Sequence, residues 1–286
     1  MRVVGFSLVA NAVRLDFPIR EAIQSILPLC DEVVVNVGPS DDNTLDLVRS
    51  VADPRLRIIE GRWDRSHGGA VLALETQRAL DACRGDWAIY IQADEVLHES
   101  GQQRLSAAMA AAQDDPRVEG LLVDFLHFYG NTDWVGRGRG WYRREVRVVR
   151  PGGQARSFEE AQGFRIGPRL RKVRVRTSGA TYYHYGWARP LPALRAKREA
   201  DNRLYYRGEP RRSAVPERMP WEVGLERFAG SHPGPMAPWI AARRAGMSDG
   251  FAPRRWSTRR AAMFASLLVE RAIGWRPFEF TNYVEI

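Results

Sequence analysis

Residues 87–95 read Trp87-Ala88-Ile89-Tyr90-Ile91-Gln92-Ala93-Asp94-Glu95: five side chains suited to a core, then an amide, an alanine and two carboxylates with no turn residue between. Bounded upstream by Arg84-Gly85-Asp86, this short apolar run is the pattern of a strand covered on both faces. A parallel sheet of such strands leaves its polar groups at the carboxyl ends, where ligands of open α/β sheets bind. Asp94 and Glu95 therefore stand at a rim. The plainer reading is that they cap the helix that follows, and spacing alone does not separate the two.

Upstream the same unit repeats. Residues 3–10 are apolar and β-rich and stop at Asn11; after Phe17-Pro18, the spacing of Ile19, Ala22, Ile23, Ile26 and Leu27 predicts a helix with one buried face. A valine run over 32–37 gives a second strand, and the cap-rich turn Ser40-Asp41-Asp42-Asn43 opens a helix over 44–51. A third strand at 56–59 and a helix over 70–83 lead back to the opening stretch. Four βα units with short loops predict an α/β fold with a mostly parallel central sheet flanked by helices. Downstream the pattern changes to a helix over 100–113 and a strand over 120–129. Residues 141–149 and 170–177 alternate apolar residues with arginine, as antiparallel strands with one wet face would. Residues 180–187 are aromatic. From 191 arginine and proline dominate, with helices at 194–206 and 258–273.

With 286 residues, 44% hydrophobic and 27% charged, the composition is that of an ordinary globular protein. No apolar run is long enough to cross a bilayer, and Met1-Arg2-Val3-Val4-Gly5 leads into a strand instead of a cleavable leader, so a cytoplasmic location is expected. Cys30 and Cys83 have no metal-ligand spacing and read as buried thiols. Residues 1–136 carry a net −9 and residues 137–286 a net +18, nearly all of it arginine, the lysines being Lys172 and Lys197. The second half is expected to face something anionic: a diphosphate, or the inner surface of a membrane touched peripherally.

The order of elements, and the strings at their ends, resemble the family 2 glycosyltransferases of GT-A fold. Leu8-Val9-Ala10-Asn11 is similar to that family's first-strand end, Asp31-Glu32-Val33-Val34-Val35 to its second strand, Ser40, Asp42 and Thr44 to the turn after it, and residues 88–95 to the strand bearing its DxD motif. Two positions depart: Gln92 stands where the first acidic residue of the motif is usual, and Val37 and Gly38 replace an acidic pair at the end of the second strand. The resemblance implies a GT-A catalytic domain over 1–190, with a nucleotide-binding half (1–99) and an acceptor half (100–190), followed by a mainly helical extension over 191–286. It implies transfer of a sugar, with inversion, from a nucleotide-diphosphate sugar to an acceptor hydroxyl of unknown identity. Ala10, Asn11, Asp42, Gln92 and Asp94 would contact the donor, and Mn2+ or Mg2+ would bind Asp94 and a late histidine, His184.

The remaining assignments come from chemistry. A carboxylate must take the acceptor's proton, and Glu159-Glu160 is the candidate, Glu160 preferred, between two strand-like stretches where the resemblance implies a base at the start of a short helix; Asp124 and His127 are rivals. Arg143 and Arg144 follow a glycine-rich loop that could close on a diphosphate, or that is simply a solvated loop. The last helix, basic and amphipathic, could rest on a membrane or pack on the domain. Two rival functions stay open: a nucleotidyltransferase acting on sugar phosphates, which would show a glycine-rich loop after its first strand where this chain has Asn11-Ala12-Val13-Arg14, and a non-catalytic basic module. No nucleic-acid partner is expected.

Overall fold

A computed structural model describes residues 1–206, 215–274, 276 and 279–286. Its first third alternates β1 (Val3–Val9), α1 (Ile19–Ile26), β2 (Glu32–Val37), α2 (Thr44–Arg49), β3 (Leu56–Glu60), α3 (Ala70–Ala82) and β4 (Trp87–Tyr90), as the periodicity predicts. The strands lie parallel in the order β3-β2-β1-β4, with Phe6 opposite Val34 on one side and Tyr90 on the other. One face buries Ile19, Ile23 and Ile26 of α1 against Val33, Val35 and Ile89; the other buries Ala79 and Leu80 of α3 against Val4, Phe6 and Val34. Each of these side chains larger than alanine contributes roughly 1.5–3 kcal/mol by leaving water. Cys30 and Cys83 lie in these cores as free thiols, and burial pushes each up to about 12.

The sheet continues through β5 (Glu95–Leu97), α4 (Glu99–Ala112), β6 (Gly120–Tyr129), β7 (Asn131–Gly136), β8 (Arg144–Val149), β9 (Ala155–Phe158), β10 (Gly163–Ile166) and the 17-residue β11 (Arg171–Trp187). β8 sits antiparallel between β4 and β6, and β11 runs parallel to β6 with a register shift between Thr177 and Thr181. The expected stretches 170–177 and 180–187 are thus one strand, irregular at Ser178-Gly179-Ala180. That strand is antiparallel to β5 and β10 but parallel to β6, so the purely antiparallel expectation is corrected. A second correction concerns the wet face of β8. Arg147 is 1% exposed, because its guanidinium is matched by the equally buried Glu95.

The residues after 190, expected as an extension, return to the same sheet. α5 (Leu191–Tyr206) follows β11; β12 (Leu225–Arg227) pairs with β7; α6 (Met236–Arg243) packs Met236, Trp239 and Ile240 against Phe128 and Tyr185; and β13 (Tyr283–Glu285) runs parallel to β11. The preceding α7 (Thr258–Ile273) starts at Ser257, whose side chain accepts from the Arg260 N–H, and stops at Gly274, whose φ of 69° suits glycine. Among the described residues no helix is long and apolar enough to cross a membrane.

Candidate functional site

The carboxyl ends of β1 and β4 open into a cavity of about 320 Å³ lined by Ala10, Asn11, Phe17, Trp63, Gln92 and Asp94, with Glu160 on one side and Lys197 on α5 on the other. Asn11 ends β1 in the left-handed region (φ 52°), a conformation asparagine tolerates, and this turns the chain toward the 40–44 turn. Its N–H donates to Ser40 Oγ at 2.9 Å, and its Oδ1 accepts from the Asp41 N–H at 2.9 Å. Asp42 accepts from the Arg14 N–H (2.7 Å) and from the Thr44 hydroxyl and N–H. Its side chain knits the turn and is not part of the cavity wall.

Asp94 is 6% exposed, and its partners among the described residues meet on one oxygen. Oδ2 lies 2.6 Å from Arg189 Nη2, 3.1 Å from Lys197 Nζ and 3.7 Å from His184 Nε2. Burial alone would raise the carboxyl's pKa, but the positive charges around it, Lys197 foremost, outweigh it and hold it well below the usual carboxylate range. Asp94 is therefore ionised. Arg189 is wholly buried, donates also to the Leu15 carbonyl (2.9 Å) and stacks on Phe17 at 4.1 Å, which fixes the carboxylate from behind. Burial, then the neighbouring Arg189, lowers the Lys197 pKa.

The carboxylate and the imidazole could share a divalent cation. A Cβ on Gly186 would lie 2.5 Å from His184 Nε2 and 3.2 Å from Asp94 Oδ2, so glycine keeps clear the space beside both donors. Among the described residues no third carboxylate, histidine or cysteine joins them. An ion held by two protein donors takes its other ligands from water or from phosphate oxygens, as hard cations in phosphate sites do. The donor set fits such an ion.

The neighbours of Asp94 in sequence have other tasks. Glu95 receives Arg147 in two bonds, Nε to Oε2 at 3.0 Å and Nη2 to Oε1 at 2.7 Å. Arg147 also donates to the Gln162 carbonyl at 2.8 Å, and Gln92 Nε2 donates to the Ala161 carbonyl at 3.0 Å. Two side chains thus clamp the turn joining β9 and β10. A carboxylate at 92 could not donate to that carbonyl, which gives a physical reason for the amide. Glu160 is exposed at the tip of this turn, between Glu159 (φ 50°) and Ala161 (φ 61°), both in a region non-glycine residues rarely adopt. The expected helix start is a hairpin turn, because β9 and β10 pair directly across it. Glu160 lines the cavity wall; Glu159 does not.

Three further expectations are relocated. Arg143 pairs with Glu279 and Arg144 with Glu285 (3.2 Å), so their guanidinium groups tie β8 to the chain's end and do not line the cavity. His127 is 2% exposed with both ring nitrogens engaged, which removes it as a base; Asp124, half-buried on β6 with its pKa raised by that burial, lies off the cavity wall. Residues missed from sequence are Arg189, Lys197 and Trp63. Lys197 carries a usable signal, being one of two lysines in a chain that otherwise uses arginine. Trp63 accounts for one position of the missing acidic pair: a Cβ at Gly38 would fall 2.5 Å from its indole.

No curated protein matches the chain. Among solved structures it is similar to TarS 1–349 of S. aureus (22% identity, 50% of this chain and 39% of that one, TM-score 0.37). It is also similar to glucosyl-3-phosphoglycerate synthase from Mycobacterium tuberculosis in complex with Mn2+, UDP and glucosyl-3-phosphoglycerate (20%, 45% and 45%, 0.31). A third is the mannosyltransferase PcManGT from Pyrobaculum calidifontis in complex with GDP-Man and Mn2+ (24%, 42% and 34%, 0.32). The chain spans less than half the length of each. The sequence model of Glycosyl transferase family 2 matches residues 18–168, from the start of α1 past the β9–β10 turn. That span contains the parallel strands β2 to β4, Asp94 and Glu160, and the architecture is the GT-A fold. With more than half of its length matched, the chain belongs to glycosyl transferase family 2.

Proposed function

We propose that this protein transfers a sugar from a nucleotide-diphosphate sugar to an acceptor hydroxyl, with inversion, using a divalent cation, Mn2+ or Mg2+. The observation that carries the reading is the pairing of Asp94, on the wall of the cavity that also holds Glu160, with His184, which lies off that wall across the space cleared by Gly186. Asp94 and His184 would hold the ion, which when bound neutralises charge on the diphosphate leaving group. Lys197 adds a positive charge on the same side, and Arg189 keeps the carboxylate aimed. Trp63 offers a flat face to the nucleotide base, and Ala10 and Asn11 the backbone edge beside it. Glu160 accepts the acceptor's proton as its oxygen attacks the anomeric carbon, and Gln92 and Arg147 keep the turn that carries it in place.

The acceptor side suggests a peripheral membrane contact at a cytoplasmic surface. α7 exposes Phe264, Leu268, Val269 and Ile273, and exposed Arg255 and Arg259 lie at its amino end, the mixture that rests on anionic lipid. Co-sedimentation with phosphatidylglycerol vesicles, lost in Phe264→Asp/Leu268→Asp, supports this contact; equal sedimentation with neutral vesicles counts against it.

Thermal unfolding with UDP, GDP and other nucleoside diphosphates, with and without Mn2+, tests the main reading. A metal-dependent rise in Tm is expected in the wild type and in Glu160→Gln, and its loss is expected in Asp94→Ala. Glu160→Gln should lower transfer by a factor of about 10²–10⁴. No response to any nucleotide, or a response indifferent to Asp94, contradicts the proposal.

A further inference from the structure

His127 and His184 face one another across the paired strands β6 and β11, where they occupy the same register position. Their Nδ1 atoms are 2.9 Å apart, with ring planes at 82°. On its far side His127 places Nε2 2.8 Å from the carbonyl oxygen of Tyr142. A carbonyl can only accept, so His127 Nε2 carries a proton. His127 is buried and wedged between Phe125, stacked at 5.5 Å, and the edge of Tyr142 at 4.4 Å. Among the described residues no carboxylate pairs with this ring, and an imidazole buried among aromatic rings without a counter-charge stays neutral, so its Nδ1 keeps a lone pair. The proton in the Nδ1–Nδ1 contact then belongs to His184.

We infer that His127 is a positioning residue that sets the tautomer of His184: by accepting the His184 Nδ1–H, it leaves the lone pair of His184 Nε2 turned toward Asp94 as a metal donor. The inference rests on the proposed roles of Asp94 and His184. It also accounts for the spacing at the site. A bare imidazole nitrogen and a carboxylate oxygen 3.7 Å apart, two acceptors aimed at one space, repel unless a cation lies near, and the Lys197 ammonium, 3.1 Å from that oxygen, supplies one. The second nitrogen of a metal-binding histidine commonly donates to an outer partner that fixes its tautomer. Here that partner is a second histidine, itself fixed by a backbone carbonyl.

The tautomers are read without metal. Long-range 1H–15N spectra of the protein labelled at its five histidines should show one ring protonated on Nδ1 alone, assigned to His184 by its loss in His184→Ala, and His127 protonated on Nε2. His184 protonated on Nε2, or on both nitrogens, overturns the relay whatever the metal does. The functional arm is Mn2+ affinity, from the free-ion electron paramagnetic resonance signal. His127→Phe should weaken it about 10–100-fold, and His127→Gln, whose amide can both donate to Tyr142 and accept from His184, should restore most of the loss. Equal affinity in the Phe and Gln variants overturns the role of His127. Wild-type protein that shows the expected tautomers yet binds no Mn2+ overturns the proposed metal site and not the relay.

Discussion

The ends of β1 and β4 carry Asn11, Gln92 and Asp94 to the cavity, whereas on β8 and β11 the charged residues lie along the strands and meet other parts of the chain. Arg144 meets Glu285, Arg147 meets Glu95, Arg171 and Arg174 share Glu119, and Arg176 meets Asp115. The excess positive charge of the second half therefore says little about what the protein binds. Much of it is paired within the chain, and among the described residues the cations of that half that line the cavity are Lys197 and Arg203. What distinguishes a ligand-facing charge from a structural one is whether its neighbours leave it aimed at open space. Asp94 and Glu95 make the point at adjacent positions. Glu95 is consumed by a bidentate arginine and lies off the cavity wall, while Asp94, although it meets Arg189 and Lys197, lines the cavity and stays beside the space that Gly186 clears.

The contrast breaks hardest at Arg147. Replacing it by alanine leaves Glu95 buried without its partner and frees the Gln162 carbonyl, so unfolding stability in urea should fall by about 3–5 kcal/mol. A loss under 1 kcal/mol would mean that the pair is not the internal strut described here. A smaller effect is expected at Glu145, which is 4% exposed with one carboxylate oxygen lacking a partner. Burial raises its pKa, against the lowering effect of Arg147 and Gln162. A raised folded pKa means that this residue's contribution is whole below the ordinary glutamate value of about 4.3 and is lost as pH rises through the folded value. Glu145→Gln should therefore be more stable than the wild type at neutral pH by about 1 kcal/mol, with the gap closing toward pH 4. A gap that widens on acidification reverses the sign and refutes the assignment.

The first third of the fold was legible because its strands are continuous apolar runs and its helices keep one apolar face, patterns that burial imposes directly on sequence. Alternation along 141–149 misled because it reports side-chain spacing but not what meets the polar face. Arg147 looks solvated until Glu95, 52 positions earlier, is placed beside it. Asp94, Glu160 and His184, the residues of the proposed site, could be put forward from sequence, since strand ends and carboxylate pairs leave a local mark and the resemblance supplied the histidine. The cations around Asp94 were not, because Arg189 and Lys197 come from the turn after β11 and from α5, with no sequence pattern linking them to residue 94. Nor was the use of Gln92 as a clamp, which depends on where the Ala161 carbonyl falls.

The account stands on a dication between Asp94 and His184. Crystals grown with a nucleoside diphosphate and Mn2+, measured at the manganese absorption edge, test it most directly. The prediction is one anomalous peak within about 2.0–2.3 Å of an Asp94 carboxylate oxygen and of His184 Nε2, with phosphate oxygens completing the shell. A nucleotide bound in the cavity with Lys197 still on Asp94 and no manganese there would contradict it.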